Sequence, residues 1–411
     1  MPHVMTLNAG SSSIKFALFE LDHGEPQALA IGLVEKTGDT RHMKVRDGAG
    51  VVTHEESWEP AEGGFHTDAL RRVLAWRRAA FPDAQVVAAG HRVVHGGLRY
   101  STPTVVTPEV LDYLHTLIPL APLHEPHNIA GILAAQEAWP HVQQVACFDT
   151  AFHRAHPFVN DTFALPRALY DEGVRRYGFH GLSYEYVCGK LADISPLHAA
   201  GRVVVAHLGN GASMCAIRDG LSIASSMGFT ALDGLPMGTR CGQVDPGVLL
   251  YLLQTKGLTP EALSDMLYKE SGLKGLSGLS ADMRELEAAD TPEARQAVEY
   301  FVFRIRRELG GLAAVLKGLD AVVFCGGIGE NAWRVRERVL EGMEWIGVEL
   351  DREANRANRQ VISSERSRVK VFIIQTNEEA MIARHTLDAL AGATPSEPSP
   401  TLALQESLAC P

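Results

Sequence analysis

A strand, glycine turn and strand that occur twice place the tightest constraint on this fold. Residues His3 to Leu7 read as a strand, Asn8-Ala9-Gly10-Ser11-Ser12-Ser13 as a Gly/Ser turn, and Ile14 to Leu21 as a second strand. In the second half, Arg202 to Leu208 reads as a buried strand, Gly209-Asn210-Gly211-Ala212 as a tight turn, and Ser213 to Ile217 as the returning strand. A shift of 199 residues carries Gly10 onto Gly209, Val4 onto Val203, Ala17 onto Ala216 and Leu18 onto Ile217. A duplicated α/β domain with a cleft between its copies accounts for the pattern, and so do two unrelated hairpins.

The rest of the chain alternates strand and helix signals. Strands are expected around Ala28 to Val34, Arg41 to Val45, Val51 to His54, Gln85 to Val94, Val142 to Phe148, Asp320 to Cys325 and Val369 to Ile374. Helices are expected over Thr67 to Ala80, Asn128 to Glu137, Pro246 to Leu253, Pro260 to Leu267, Pro292 to Lys317, Asn331 to Met343 and Glu378 to Leu390. A length of 411 residues is enough for two or three domains with substantial cores. The Pro/Ser-rich end, residues 392–411, reads as a disordered tail.

Composition excludes several function classes. With 38 basic against 49 acidic side chains, the net charge of -11 disfavours nucleic acid as a partner, so cations that meet an anionic ligand must be locally concentrated. Cys147, Cys188, Cys215, Cys241, Cys325 and Cys410 never form a C-x-x-C pair, which suggests reduced thiols in a cytoplasmic setting rather than zinc or disulfides. No signal peptide is apparent, and no stretch approaches the ~20 apolar residues of a membrane span.

Glycine turns after strands offer backbone N–H groups to phosphate, and three are expected, at 8–13, 209–212 and 326–329. One would be weak evidence; three suggest a polyphosphate cleft. The P-loop pattern, the protein-kinase motifs and a dinucleotide fingerprint are all missing. Cationic candidates sit beside turns: Arg92 and His95, His124, His180, and Arg240 within Gly238-Thr239-Arg240-Cys241-Gly242. A histidine alone is more often a hydrogen-bonded packing residue. An arginine flanked by glycines is better explained as a clamp on an anion. His91-Arg92-Val93-Val94-His95 lacks the glutamate of a zinc protease helix and suits a strand.

At these residues the chain resembles the acetate kinase (acetokinase) family. The similarity is carried by Asn8 to Lys15, His91 to Gly97, Phe148-Asp149-Thr150-Ala151-Phe152-His153, Arg175 to Ser183, His207 to Gly211, Met237 to Arg240, Gly327 to Asn331 and Thr376 to Glu379, in family order over nearly the whole chain. The resemblance implies two duplicated actin-like (ribonuclease-H-like) α/β domains with an interdomain active-site cleft, usually in a homodimer. The first copy would span 1–150, completed by a helix at 379–391, and the second 151–378. It implies ATP or ADP as nucleotide, Mg²⁺ as metal with Mn²⁺ as a substitute, and acetate, with propionate as a further acceptor.

Roles follow from the same resemblance. Asn8 and Glu378 would place the metal, and Ser11, Ser13 and Lys15 would lie near the phosphates. Arg92 would hold the substrate carboxylate, while His180 and Arg240, with His124 nearby, would stabilise the transferring group; Asp149 would be the family's catalytic acidic residue. His207, Leu208, Gly209, Asn210 and Gly211 form the second phosphate loop, Asp282, Met283 and Arg284 a nucleotide segment, and Gly327, Ile328, Gly329, Glu330 and Asn331 the adenosine side. A carboxylate is already ionised near neutral pH, so its attack needs no base, and Asp149 is expected to orient Arg92 or a metal-bound water. The chain departs from the family pattern at Glu125, His127, Gln243 and Ala231. Ala231, where a proline often borders the acyl pocket, would widen that pocket. The competing readings are a propionate or butyrate kinase, a sugar kinase, and an actin- or Hsp70-like ATP-driven binding protein.

Overall fold

In the computed structural model, residues 2–22, 25–60 and 64–392 are described, and they build two units, each around one mixed sheet. The first unit comprises Met1–Phe148 together with the chain from Glu379 onward; the second is Asp149–Glu378.

The first sheet contains β1 (Pro2–Ala9), β2 (Ser13–Asp22), β3 (Glu25–Thr37), β4 (Thr40–Asp47), β5 (Val52–Trp58), β6 (Gln85–Val93), β7 (Thr104–Val105) and β8 (Gln143–Phe148), in the order β5-β4-β3-β2-β1-β6-β8-β7. β1 lies centrally because it is apolar on both faces, with Val4, Met5 and Leu7 all buried. One face packs Met5, Leu7, Phe16, Leu18 and Val45 against Leu70, Val73 and Trp76 of the helix Gly64–Ala80. On the other face Val4, Ala17 and Phe19 meet Ala383 of the last helix, Glu378–Leu390. That helix can come close because β6 carries Gly90, where a Cβ would strike Thr386 and Ile382.

The second sheet contains β9 (Arg202–Leu208), β10 (Ala212–Arg218), β11 (Leu221–Ser225), β12 (Ala321–Cys325) and β13 (Lys370–Ile373), in the order β11-β10-β9-β12-β13. β9 pairs antiparallel with β10 and parallel with β12, β10 antiparallel with β11, and β12 parallel with β13. The run β3-β2-β1-β6-β8 of the first sheet has the same sequence of pairings, with β1 in the place of β9. Matching strand order and sense in two independent sheets is what a duplication produces, and unrelated hairpins would not give it.

Among the differences from the sequence expectation in the second unit, two bear on the site. A helix, Gly181–Ile194, follows His180 where no helix is expected, burying Leu182, Tyr184, Val187 and Leu191. Residues 326–329 are not a turn but the opening of a short helix, Gly326–Asn331. Gly326 leaves β12 at φ +75, and the Glu330 carboxylate accepts the N–H of Gly326 at 2.9 Å, so this helix supplies its own cap. The 24-residue helix Pro292–Val315 begins as its sequence suggests, with Thr291 accepting the Ala294 N–H at 3.2 Å and proline in the first turn. Beyond residue 392 the tail expected at 392–411 lies outside the described residues.

Candidate active site

In the second unit, three expected residues converge on the turn between β9 and β10. A Cβ placed on Gly211 would lie 2.9 Å from Arg240 Nη2 and 3.1 Å from His180 Nε2. Only glycine lets both side chains approach the backbone this closely. Arg240 is fixed from its other side by Nη1 donating to the Ala231 carbonyl at 2.9 Å. His180 is fixed twice: its ring stacks on His207, with centroids 4.3 Å apart and planes 21° apart, and its Nδ1 lies 2.8 Å from Ser213 Oγ.

The hydrogen-bond chain behind His180 sets which nitrogen points forward. Tyr184 is fully buried and its phenol pKa is pushed well above 10, chiefly by burial, so it keeps its proton. The Tyr184 hydroxyl lies 2.5 Å from Ser213 Oγ. All groups are satisfied when Tyr184 donates to Ser213 and Ser213 donates to His180 Nδ1, which leaves the proton on Nε2 beside Gly211 and Arg240. His180 itself sits at φ 59, ψ 25, a left-handed conformation that is uncommon outside glycine and often found at functional sites.

The two glycine segments of this unit are neighbours. A Cβ on Gly209 would lie 3.9 Å from the N–H of Gly327 and 4.0 Å from His207 Nε2. His207 Nδ1 is bound to Ser183 Oγ at 2.8 Å, and Ser183 to Thr376 Oγ1 at 2.7 Å. Asn210 is exposed, its carbonyl accepting the Gly238 N–H at 3.1 Å, which ties the loop to the segment carrying Arg240. Asp149 is buried, and its carbonyl accepts the N–H of Gly181 at the start of the helix that follows His180.

Other expected residues have local structural duties. Glu330 bonds the backbone N–H of Gly326 and of Thr376, and Asn331 bonds the Gly327 carbonyl. Asp282 caps the helix Met283–Ala288 and pairs with Arg284, which holds its carboxyl down at about 2, while Met283 is buried. Leu208 is buried at the end of β9, and Ile328 lies within the short helix. Glu378 begins the last helix.

In the first unit, Asn8 ends β1 and Arg92 lies on β6, and the guanidinium donates to Asn8 Oδ1 at 3.4 Å. Asn128, which the sequence does not single out, secures both strands: its Nδ2 donates to the Ala9 carbonyl at 2.9 Å and its Oδ1 accepts the Val94 N–H at 3.0 Å. Ser11 lies in the tight turn closed by Gly10 N–H to the Ser13 carbonyl at 2.8 Å, and Lys15 follows on β2 with an exposed side chain. His124 precedes the helix Glu125–Ala138. Missed in the sequence are Ser213, Tyr184, Ser183 and Asn128. The apolar spacing of Tyr184, Val187, Leu191 and Ile194 is a helical signal, but nothing local marks the hydroxyl partners.

Two sheets with one repeated strand order, and an arginine and a histidine donor seated on a glycine turn, define a phosphotransferase of the actin-like class. Residues 3–384 match the Acetokinase family, and the chain belongs to that family. It is 74% identical over 394 residues to an acetate kinase of Methylocella silvestris, which covers 94% of this chain and 98% of the relative. Among solved structures it resembles Porphyromonas gingivalis acetate kinase (38% identity, TM-score 0.85, 95% of this chain and 100% of that one). A Francisella tularensis propionate kinase is similarly close (37% identity, TM-score 0.88, 94% and 100%).

Proposed function

We propose that this chain transfers a phosphoryl group reversibly between ATP and acetate, giving acetyl phosphate and ADP by direct in-line attack of the carboxylate. The observation that carries this reading is the approach of Arg240 Nη2 and His180 Nε2 to one glycine backbone. Phosphoryl transfer spreads negative charge over three equatorial oxygens, and fixed donors that need no reorganisation stabilise it best. Arg240 and the Nε2–H of His180 are such donors, each held by a bond on its far side. The backbone of the loop at Asn210 and Gly211 receives phosphate oxygens, the Gly209 N–H being used to close the turn, and His207 supports the His180 ring. Arg92 receives the acetate carboxylate, and His124 assists Arg240 and His180 at the transferring group.

No residue needs to remove a proton from acetate, which is ionised at working pH. Asp149 is therefore a positioning group in this scheme. Mg²⁺ fits the donors proposed for it: Asn8 and Glu378 carry oxygen donors, which suit a hard cation held mainly by nucleotide phosphates and water. Asn8 and Glu378 would hold its water shell, and the ion would neutralise phosphate charge. We place the reaction in the cytoplasm, in keeping with the free thiols of Cys147, Cys188, Cys215, Cys241 and Cys325, and expect a homodimer of two-domain chains.

Propionate is proposed as a second acceptor. The Ala231 carbonyl accepts from Arg240, which puts the backbone of residue 231 beside the proposed phosphoryl site, and alanine there in place of a proline ring would leave room for a longer acyl chain. Incubation with acetate, ATP, Mg²⁺ and hydroxylamine tests the main reading by trapping acetohydroxamate. Slow ATP hydrolysis that ignores acetate would instead favour an ATP-driven binding protein.

A further inference from the structure

Behind His180 lies a second, largely buried chain of polar side chains that the phosphoryl-transfer reading does not use. His153 is 0% exposed, and its Nε2 lies 2.9 Å from the carbonyl of Phe179, the residue before His180. A carbonyl only accepts, so Nε2 carries the proton. His153 Nδ1 is then the acceptor for Ser222 Oγ at 2.8 Å. Ser222 in turn accepts from His156 Nε2 at 2.7 Å, and the Cys215 sulfur lies 3.1 Å from its Oγ. From the Phe179 carbonyl back to His156, the protons run in one direction that satisfies each neighbour.

Burial keeps the members in these states. It lowers His153 to about 4 and, together with the neighbouring His153, Arg154 and Arg176, lowers His156 to about 2; burial also raises the Cys215 thiol to about 12. The chain presses directly on the His180 turn. Gly178 has φ +73, and a Cβ there would lie 2.6 Å from the His153 ring, so the ring sits against the backbone two residues before His180. A left-handed non-glycine residue costs about 1–2 kcal/mol, so His180 keeps this conformation only where its neighbours hold it.

We infer that His153 is a positioning residue for phosphoryl transfer: oriented by Ser222 and His156, it fixes the Phe179 carbonyl and so holds His180 in the turn that presents Nε2 beside Gly211 and Arg240. The inference rests on the phosphoryl-transfer reading. In it Ser222 and His156 set the tautomer of His153, and His153 transmits that orientation to a side chain it does not touch.

The test is a double-mutant cycle. Ser222→Ala is expected to lower kcat about tenfold, as a displacement of under 1 Å at a reacting group does, with KM for acetate and ATP within about twofold. Ser222→Thr keeps the hydroxyl and should stay near the parent, and His153→Gln, which can still donate to the Phe179 carbonyl, should retain more turnover than His153→Leu. In a His180→Ala background, Ser222→Ala should cost less than about twofold more, because its effect passes through the missing ring. An equal loss in both backgrounds overturns the inference, as does a rise in KM at unchanged kcat, or a Ser222→Thr variant as impaired as Ser222→Ala. The phosphoryl-transfer reading is judged separately, on the parent protein: if that forms no acetohydroxamate, the reading itself fails.

Discussion

Replacing Gly211 by alanine puts the proposed chemistry under the most local strain the structure allows. The Gly211→Ala change adds one methyl group, which would lie 2.9 Å from Arg240 Nη2 and 3.1 Å from His180 Nε2. Ordinary contact begins near 3.4 Å, so both groups must yield by a few tenths of an ångström. Neither is free to swing, since Arg240 is bound to the Ala231 carbonyl and His180 is bound to Ser213 and stacked on His207. A 1 Å misplacement can cost about a hundredfold in rate, so half of that corresponds to about tenfold, or about 1.4 kcal/mol of barrier. The fold should be spared, because the turn bond from Gly209 N–H to the Gly211 carbonyl, 2.9 Å, uses backbone atoms that alanine also has. Steady-state hydroxamate assays should therefore show kcat down about tenfold, with the melting temperature little changed. Unaltered kcat in a folded Gly211→Ala protein would refute the claim that Arg240 and His180 must hold these positions.

Other perturbations separate the remaining roles. Glu125 is fully buried, neither carboxyl oxygen has a hydrogen-bond partner in acceptable geometry, and burial pushes its pKa up to about 8 against the pull of the His95 backbone N–H. A raised carboxyl pKa means the folded chain binds the extra proton, so stability falls as pH climbs from about 4.5 toward 8 and levels off above, by about 3–5 kcal/mol in all. Denaturation midpoints of Glu125→Gln between pH 5 and 9 should lack that slope; the same slope in parent and variant would show that another group sets it. Asp149→Asn should lower turnover sharply, and near-normal turnover with unchanged Mg²⁺ dependence would remove Asp149 from the positioning scheme. Comparing acetate, propionate and butyrate should show propionate accepted, whereas strict preference for acetate would count against a widened pocket at Ala231.

Much of the architecture is legible in the sequence, because strands buried on both faces announce themselves as unbroken apolar runs. Arg202 to Leu208 and Asp320 to Cys325 are of this kind, and both are central strands of the second sheet. The glycine turn after β9 is equally plain. What stays hidden is what tertiary partners decide. Three glycines at 326–329 favour a turn by local propensity, yet Glu330 caps the segment into a helix, with the N–H of Thr376 sharing the same carboxylate. The left-handed His180 cannot be read from a Phe-His-Gly string, since Ser213, 33 residues away, and Asp149 secure it. His153 and Ser222 lie 69 residues apart, a separation at which no periodicity or spacing rule links two polar side chains.

The central claim is that an acetate oxygen attacks the terminal phosphorus of ATP while Arg240 and His180 hold the transferring group. Acetate labelled with ¹⁸O in both carboxylate oxygens, followed by ³¹P NMR during turnover with Mg-ATP, examines that bond directly. The account predicts acetyl phosphate whose phosphorus carries the isotope shift of one bridging ¹⁸O. Unlabelled inorganic phosphate as the sole phosphorus product would contradict it, because water rather than the carboxylate would then be the acceptor.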